Sequence, residues 1–232
     1  MGVLPNKPMP IDAHIIDPRN LRDLATDLLD ADGKLKVVPS SYFAATSREE
    51  RAVFCAKNAL YGLLTNELVA FVKSLIEGRR AIEIGAGHGG LAAALDIHAT
   101  DNWMQAEPAI QEHYRSIGVS TIQYGKNVEK LDALEAVQRY KPEVVVASWV
   151  THKYDEARHE AGGNMFGVVE EDIIKICETY LFIGNDHVHK DKSIWALPHV
   201  KLYPSWLYSR AMNGSRDFIA VWGKIPESMP AL

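Results

Sequence analysis

The chain has 232 residues, enough for one domain with an accessory segment and for a sizeable buried core. Hydrophobic residues make up 47% and charged residues 24%, the balance of a folded globular protein and not of a disordered one. A net charge of −5 and basic clusters as short as Arg79-Arg80 argue against a surface built to grip a phosphate backbone.

No run of 18 apolar residues is present and no secretory signal is legible before Asp12, so a cytoplasmic protein without a membrane segment is expected. Cys55 and Cys177 stand far apart in apolar stretches, which favours buried reduced thiols over a disulfide. Residues 1–17 are proline-rich and aperiodic and read as an extended arm. Asn20 to Leu29 reads as a helix and Asp32-Gly33 as a turn. Thr46, with Glu49 three residues on, has the spacing of a capping box and opens a helix to about Leu60. Thr65 caps the next helix, whose apolar face is Leu68, Phe71, Val72, Leu75 and Ile76, closed by Gly78. Residues 1–78 are therefore expected to form an arm and helical cap on an α/β domain spanning 79–232.

From Arg80 strands and helices alternate. Strands are expected at Ala81–Ile84, His98–Thr100, Ser120–Tyr124, Val144–Val150 and Thr179–Gly184. Helices are expected at Gly89–Leu95, Pro108–Ile117, Val128–Arg139 and Val168–Cys177. Two closing strands, Val200–Tyr203 and Asp217–Trp222, are joined by Ser205 to Ser215. Such alternation predicts a mostly parallel sheet with right-handed crossovers.

The most informative stretch is Ala81-Ile82-Glu83-Ile84-Gly85-Ala86-Gly87-His88-Gly89-Gly90-Leu91. A hydrophobic strand runs into glycines, and a helix of small residues follows. Glycines there let the backbone adopt positive φ and approach a ligand closely, at the sheet edge where open α/β folds bind ligands. Two patterns fit. Gly85, Gly87 and Gly90 satisfy the dinucleotide G-x-G-x-x-G. Glu83 with Gly85, Gly87 and Gly89 resembles the E/D-x-G-x-G-x-G of class I S-adenosylmethionine-dependent methyltransferases. Glu83 tips the balance, since a carboxylate suits a cationic amino-acid end and is unhelpful beside a pyrophosphate.

The resemblance spans roughly Thr65 to Gly184, and only the glycine turn in it is specific. It implies a Rossmann-like, doubly wound, mostly parallel seven-stranded sheet with an antiparallel last strand. S-adenosylmethionine would lie against Glu83, Gly85, Ala86, Gly87 and Gly89. Asp101, ending the second strand 18 residues after Glu83, would take the ribose hydroxyls, and Trp103 would stack on adenine beside Asn102. Asn127 and Val128 would stand near the adenine amine, although the acid usual there is missing. Tyr61 to Thr65 is similar to a segment lying over the methionine end, and Ser148 and Trp149 close the fourth strand beside it.

The segment after that strand, Thr151-His152-Lys153-Tyr154-Asp155, would face the methyl group. Methyl transfer needs alignment above all, helped by a base where the acceptor carries a proton. His152 is the first candidate because it titrates near neutrality, followed by Lys153, Asp155 and His187. Asn185 and Asp186 would line the acceptor pocket. His187-x-His189 with Asp186 and His152 has some metal-like character, but two alternating histidines recur by chance, and no metal is expected. Gly162-Gly163-Asn164 reads as a surface loop or as the hinge of a lid. The late aromatics, Trp195 to Trp222, read mainly as packing.

The sequence carries neither the Asn/Asp-Pro-Pro-Tyr/Phe tetrapeptide of enzymes methylating base amino groups nor a Pro-Cys nucleophile. A small-molecule acceptor is therefore preferred, with nucleic acid and protein acceptors left open. The rivals are an NAD-type oxidoreductase using Gly85, Gly87 and Gly90, an aminopropyl-transfer enzyme using the same cofactor, and a non-catalytic S-adenosylmethionine-binding protein.

Overall fold

The β-branched run Val144 to Val146 has no exposed face in water's reach, which a strand tolerates only when covered on both sides. In the computed structural model, which describes residues 17–225, that run is the centre of a single sheet. Its strands are β1 (Ala81–Ile84), β2 (His98–Asp101), β3 (Val128–Lys130), β4 (Val144–Ser148), β5 (Thr179–Asn185), β6 (Val200–Leu202) and β7 (Asp217–Gly223). They lie in the order β3-β2-β1-β4-β5-β7-β6. The pairings from β3 to β5 are parallel and those of β7 with β5 and β6 antiparallel. This is the Rossmann-like doubly wound architecture expected, with the last strand, β7, antiparallel between β5 and β6. Almost all of the proline-rich arm lies outside the described residues.

Alternation along β4 divides the core. Val145 and Ala147 face one layer with Ala136 and Val137 of α7 (Ala133–Tyr140) and Ile173 of α8 (Glu170–Ile174). Val144 and Val146 face the other, with Leu68, Val72 and Leu75 of α4 (Asn66–Ile76) and Leu91 of α5 (Gly90–Leu95). α6 (Pro108–Ser116) follows β2 in the chain and buries none of its residues. The chain leaves β1 toward β2 and β3, then returns to β4 on β1's other side. That reversal opens a crevice at the carboxyl edge between β1 and β4.

The preamble holds α1 (Ala25–Leu28), α2 (Ser40–Ala44) and α3 (Arg48–Lys57) over its own core of Leu24, Leu28, Phe43, Phe54, Cys55, Leu60 and Leu63. Burial pushes the Cys55 thiol up to about 12 and Cys177 to about 11, and both are free. Among the described residues no helix is long and apolar enough to cross a membrane.

Several boundaries differ from the sequence expectation. The α3 capping box is Ser47 with Glu50, one residue beyond Thr46 and Glu49; both registers satisfy the pattern, but the Thr46 hydroxyl donates to Phe43 O at 2.8 Å. The helix expected over Asn20–Leu29 is a 3-10 turn at Pro18–Asn20 and the single turn of α1. The largest error lies at 120–139. Ser120–Tyr124 is no strand; the third strand is Val128–Lys130, where a helix was expected, and α7 starts after Asp132, whose carboxylate accepts from Leu134 N at 3.0 Å. Gly125 explains the shift, because a Cβ there would lie 2.5 Å from His88 O. The segment passes so close under the glycine turn that it stays a loop until Val128 reaches Ala99.

Candidate active site

Glycine fixes the turn after β1. Gly85, Gly87 and Gly89 have φ of 58°, 55° and 71°, the left-handed region costly to any residue with a Cβ, whereas Gly90 has no positive φ and opens α5. The glycines the backbone requires are thus the alternating set 85, 87 and 89.

Glu83 is 2% exposed, and its Oε2 accepts from Ala92 N at 2.8 Å, in the first turn of α5. Burial drives its carboxyl up to about 8, opposed by the Ala92 bond and reinforced by Asp101. No cation pairs with it among the described residues. The N–H at the start of α5 that a pyrophosphate would need is therefore already occupied by a carboxylate. Asp101 holds the turn from the other side: Oδ2 accepts from Gly87 N at 3.0 Å and Oδ1 from Trp103 N at 2.8 Å. Burial raises its carboxyl, against those two bonds.

These groups line a cleft of about 1010 Å³ at the carboxyl edge, large enough for a nucleoside-sized ligand and a second reactant. Of the residues singled out in the sequence, it brings together Tyr61, Glu83, Gly85, Ala86, Gly87, Gly89, Asp101, Asn102, Asn127, Ser148 and Trp149. Thr65 is fully buried and caps α4 through Leu68 N, and Val128 is packed with Ala92 and Ala99; neither lines the cleft. Trp103 stands behind the wall, stacked on Tyr124 at 5.0 Å and 7°, and it is Tyr124 that faces the cavity. The Asn127 amide donates to Gly89 O at 3.0 Å, tying the third-strand loop to the turn.

The expected base candidates are not brought into the cleft wall. His152 is half-buried beside Val168, its Nε2 without a partner, and burial lowers its imidazole's affinity for a proton, with Lys192 adding to the effect. Lys153 donates to Met165 O, Asp155 caps a 3-10 turn through Ala157 N at 2.9 Å, and His187 is exposed. His189 is buried and held neutral, pushed down to about 3 mainly by burial, with Nδ1 accepting from Asn185 N at 3.0 Å. Asn185 is wholly buried and Asp186 pairs with Lys201, so neither lines the acceptor pocket as expected. Among the described residues no three His, Cys, Asp or Glu side chains come together as a metal site. Asn164, Phe166 and Gly167 do reach the cleft, and Asn102 Nδ2 holds Phe166 O at 3.0 Å.

At the other end of the cleft Tyr61, Ser148 and Trp149 stand as the sequence suggested, whereas Ser209 and Asp217 had no expected role and Tyr208 was expected only in packing. Residues 61–63 pair with 208–210 through Leu63 N to Tyr208 O at 3.0 Å and Arg210 N to Tyr61 O at 3.1 Å. This two-segment roof sets Tyr61 against Trp149, ring centroids 6.2 Å apart, and Tyr208, Ser209 and Asp217 line the same cleft. Trp149 itself has φ of 60°, a strained backbone for a bulky residue and a common mark of a working site. Nothing local signals that pairing, whose halves lie some 150 residues apart in sequence.

No family model and no curated protein matches the chain. Among solved structures it is similar to a SAM-dependent O-methyltransferase from Thermotoga maritima, with 11% identity, TM-score 0.39, and 78% of this chain and 73% of that one covered. An rRNA methylase from Streptococcus thermophilus is similar at 13% identity and TM-score 0.38, covering 68% of this chain and 94% of its own. The precorrin-6y C5,15-methyltransferase from Geobacter metallireducens is similar at 13% identity and TM-score 0.36, covering 68% and 87%. At such values these likenesses add nothing to the fold, which the sheet order establishes by itself.

Proposed function

We propose that the protein is an S-adenosylmethionine-dependent methyltransferase acting on a small molecule. The observation that carries this is Glu83, a buried carboxyl group with no cation beside it among the described residues, next to a left-handed glycine turn at the switch point of the sheet. A ligand with a cationic amino-acid end supplies the missing counter-charge, whereas a pyrophosphate would meet a carboxylate where it needs N–H donors. The group fits the residues present: Glu83 and the turn would hold its amino-acid portion, Asp101 its ribose, and Ile122 and Tyr124 its base. When bound it supplies an activated methyl group. The chain's own part is to align the acceptor over Ser148 and Trp149 and to exclude water beneath the 61–63 and 208–210 roof.

A small acceptor is favoured by that roof and by the net negative charge. Calorimetric titration with S-adenosylmethionine, S-adenosylhomocysteine and NAD tests the reading. Binding of the first two without NAD is expected; binding of NAD alone would overturn it. A non-catalytic binder would bind the pair yet transfer no methyl to any acceptor screened.

A further inference from the structure

Asp217 begins β7, the antiparallel strand beside β5, and so stands at the same carboxyl edge as the glycine turn. Three strand spacings separate β1 from β7, roughly 14 Å at about 4.8 Å each. A ligand held by Glu83 and Asp101 over β1 and β2 therefore leaves the edge over β4, β5 and β7 for a second reactant. That part of the cleft is walled by Tyr61, Trp149, Tyr208, Ser148, Ser209 and Asp217. Among these six residues the one charged group is the Asp217 carboxylate.

The carboxylate is built in. Asn185 Nδ2 donates to Asp217 Oδ1 at 2.8 Å, and Ser209 also bonds it. Asn185 is itself fixed, its Oδ1 accepting from Asn213 Nδ2 at 2.9 Å and its Nδ2 reaching Ser215 O at 3.2 Å. Arg51 and Arg210 lie against the rings of Tyr208 and Tyr61, at 5.1 and 4.1 Å, and neither lines the cleft. Arg51 and Arg48 act on the carboxylate from outside the cleft, less strongly than burial does; among the described residues no cation lines this end, and a half-buried carboxylate in a cleft shared with aromatic side chains is complementary to a ligand that brings its own positive charge.

We propose that this end of the cleft is the acceptor subsite, that it takes a small arylalkylamine, protonated in solution, and that Asp217 is the catalytic base. The inference rests on the methyltransferase reading for its chemistry, but the amine subsite stands on its own geometry. The bound ammonium gives one proton to the Asp217 carboxylate. The freed nitrogen lone pair forms the new N–C bond to the methyl carbon as the C–S bond breaks, its electron pair staying on sulfur. The positive charge passes from the sulfonium to the methylated nitrogen.

The test compares tryptamine, tyramine and phenethylamine with their hydroxyl isosteres, tryptophol, tyrosol and phenethyl alcohol. Each is titrated by calorimetry into wild type and Asp217→Asn, with and without S-adenosylhomocysteine. At least one amine is expected to bind wild type about tenfold more tightly than its isostere, a preference Asp217→Asn abolishes while binding the isostere and S-adenosylhomocysteine as wild type does. No preference on wild type, or one that survives in Asp217→Asn, overturns the proposal; the wild-type comparison decides even where the variant does not fold. Failure of wild type to bind S-adenosylhomocysteine defeats the cofactor reading alone, because amine preference is also measured without it.

Discussion

Glu83 has a consequence for stability that its position alone dictates. In the folded chain burial holds the carboxyl protonated up to about pH 8, while in the unfolded chain it ionises near its ordinary 4.5. As pH rises between those values the unfolded state releases a proton that the folded state keeps, so the ligand-free protein loses stability across that window. Glu83→Gln cannot ionise and escapes the loss. Urea unfolding at pH 5 and pH 8 should give nearly equal stabilities for the two proteins at the lower pH, and a variant more stable by a few kcal/mol at the higher. A gap that does not widen with pH would rule out a protonated Glu83. The same variant should bind S-adenosylmethionine more weakly, since unlike Glu83 it cannot give up a proton to pair with the amino group.

At the level of elements, the glycine turn, the 119–127 loop and β3 are one packed unit. A Cβ on Gly89 would lie 2.5 Å from Val128 Cγ2 and 2.7 Å from Asn127 Nδ2, on a backbone already left-handed. Gly89→Ala is therefore expected to cost about 2–4 kcal/mol, combining left-handed strain with overpacking against β3. Gly90→Ala meets only Leu64 Cδ1, at 3.3 Å, from a helical position, and should cost far less. Thermal melting of the two variants checks this, and the opposite ranking would mean that the turn uses the dinucleotide spacing instead.

Across the whole molecule, the layer packed on β5 contains a buried ion pair. Lys192 and Glu170 are 0% and 1% exposed and in contact; Tyr180 OH also donates to Glu170, at 2.7 Å, and Lys192 lies 4.5 Å over the Phe182 ring. Burial pushes both groups toward their neutral forms, and their mutual attraction opposes it. Removing one partner strands the other, so Glu170→Ala should destabilise by about 3–5 kcal/mol. Replacing both by Met should cost less than that single change, which chemical denaturation of the two variants measures.

What the sequence by itself determined is what depends on neighbours along the chain. The alternation of apolar runs specified a mostly parallel sheet, the Val144–Val146 run one of its strands, and Glu83 with Gly85, Gly87 and Gly89 a glycine turn at its carboxyl edge. Local periodicity failed at 120–139, because Gly125 packs under His88 and β3 begins only where Val128 meets Ala99. Only the tertiary structure decided which charged groups face the cleft. His152, Lys153, Asp155 and His187 follow strand ends in sequence yet fold away from it, while Asp217 enters from the far side because β7 runs antiparallel. Strand direction and long-range pairing set that choice: a residue's distance from the glycine turn along the chain says little about its distance across the sheet.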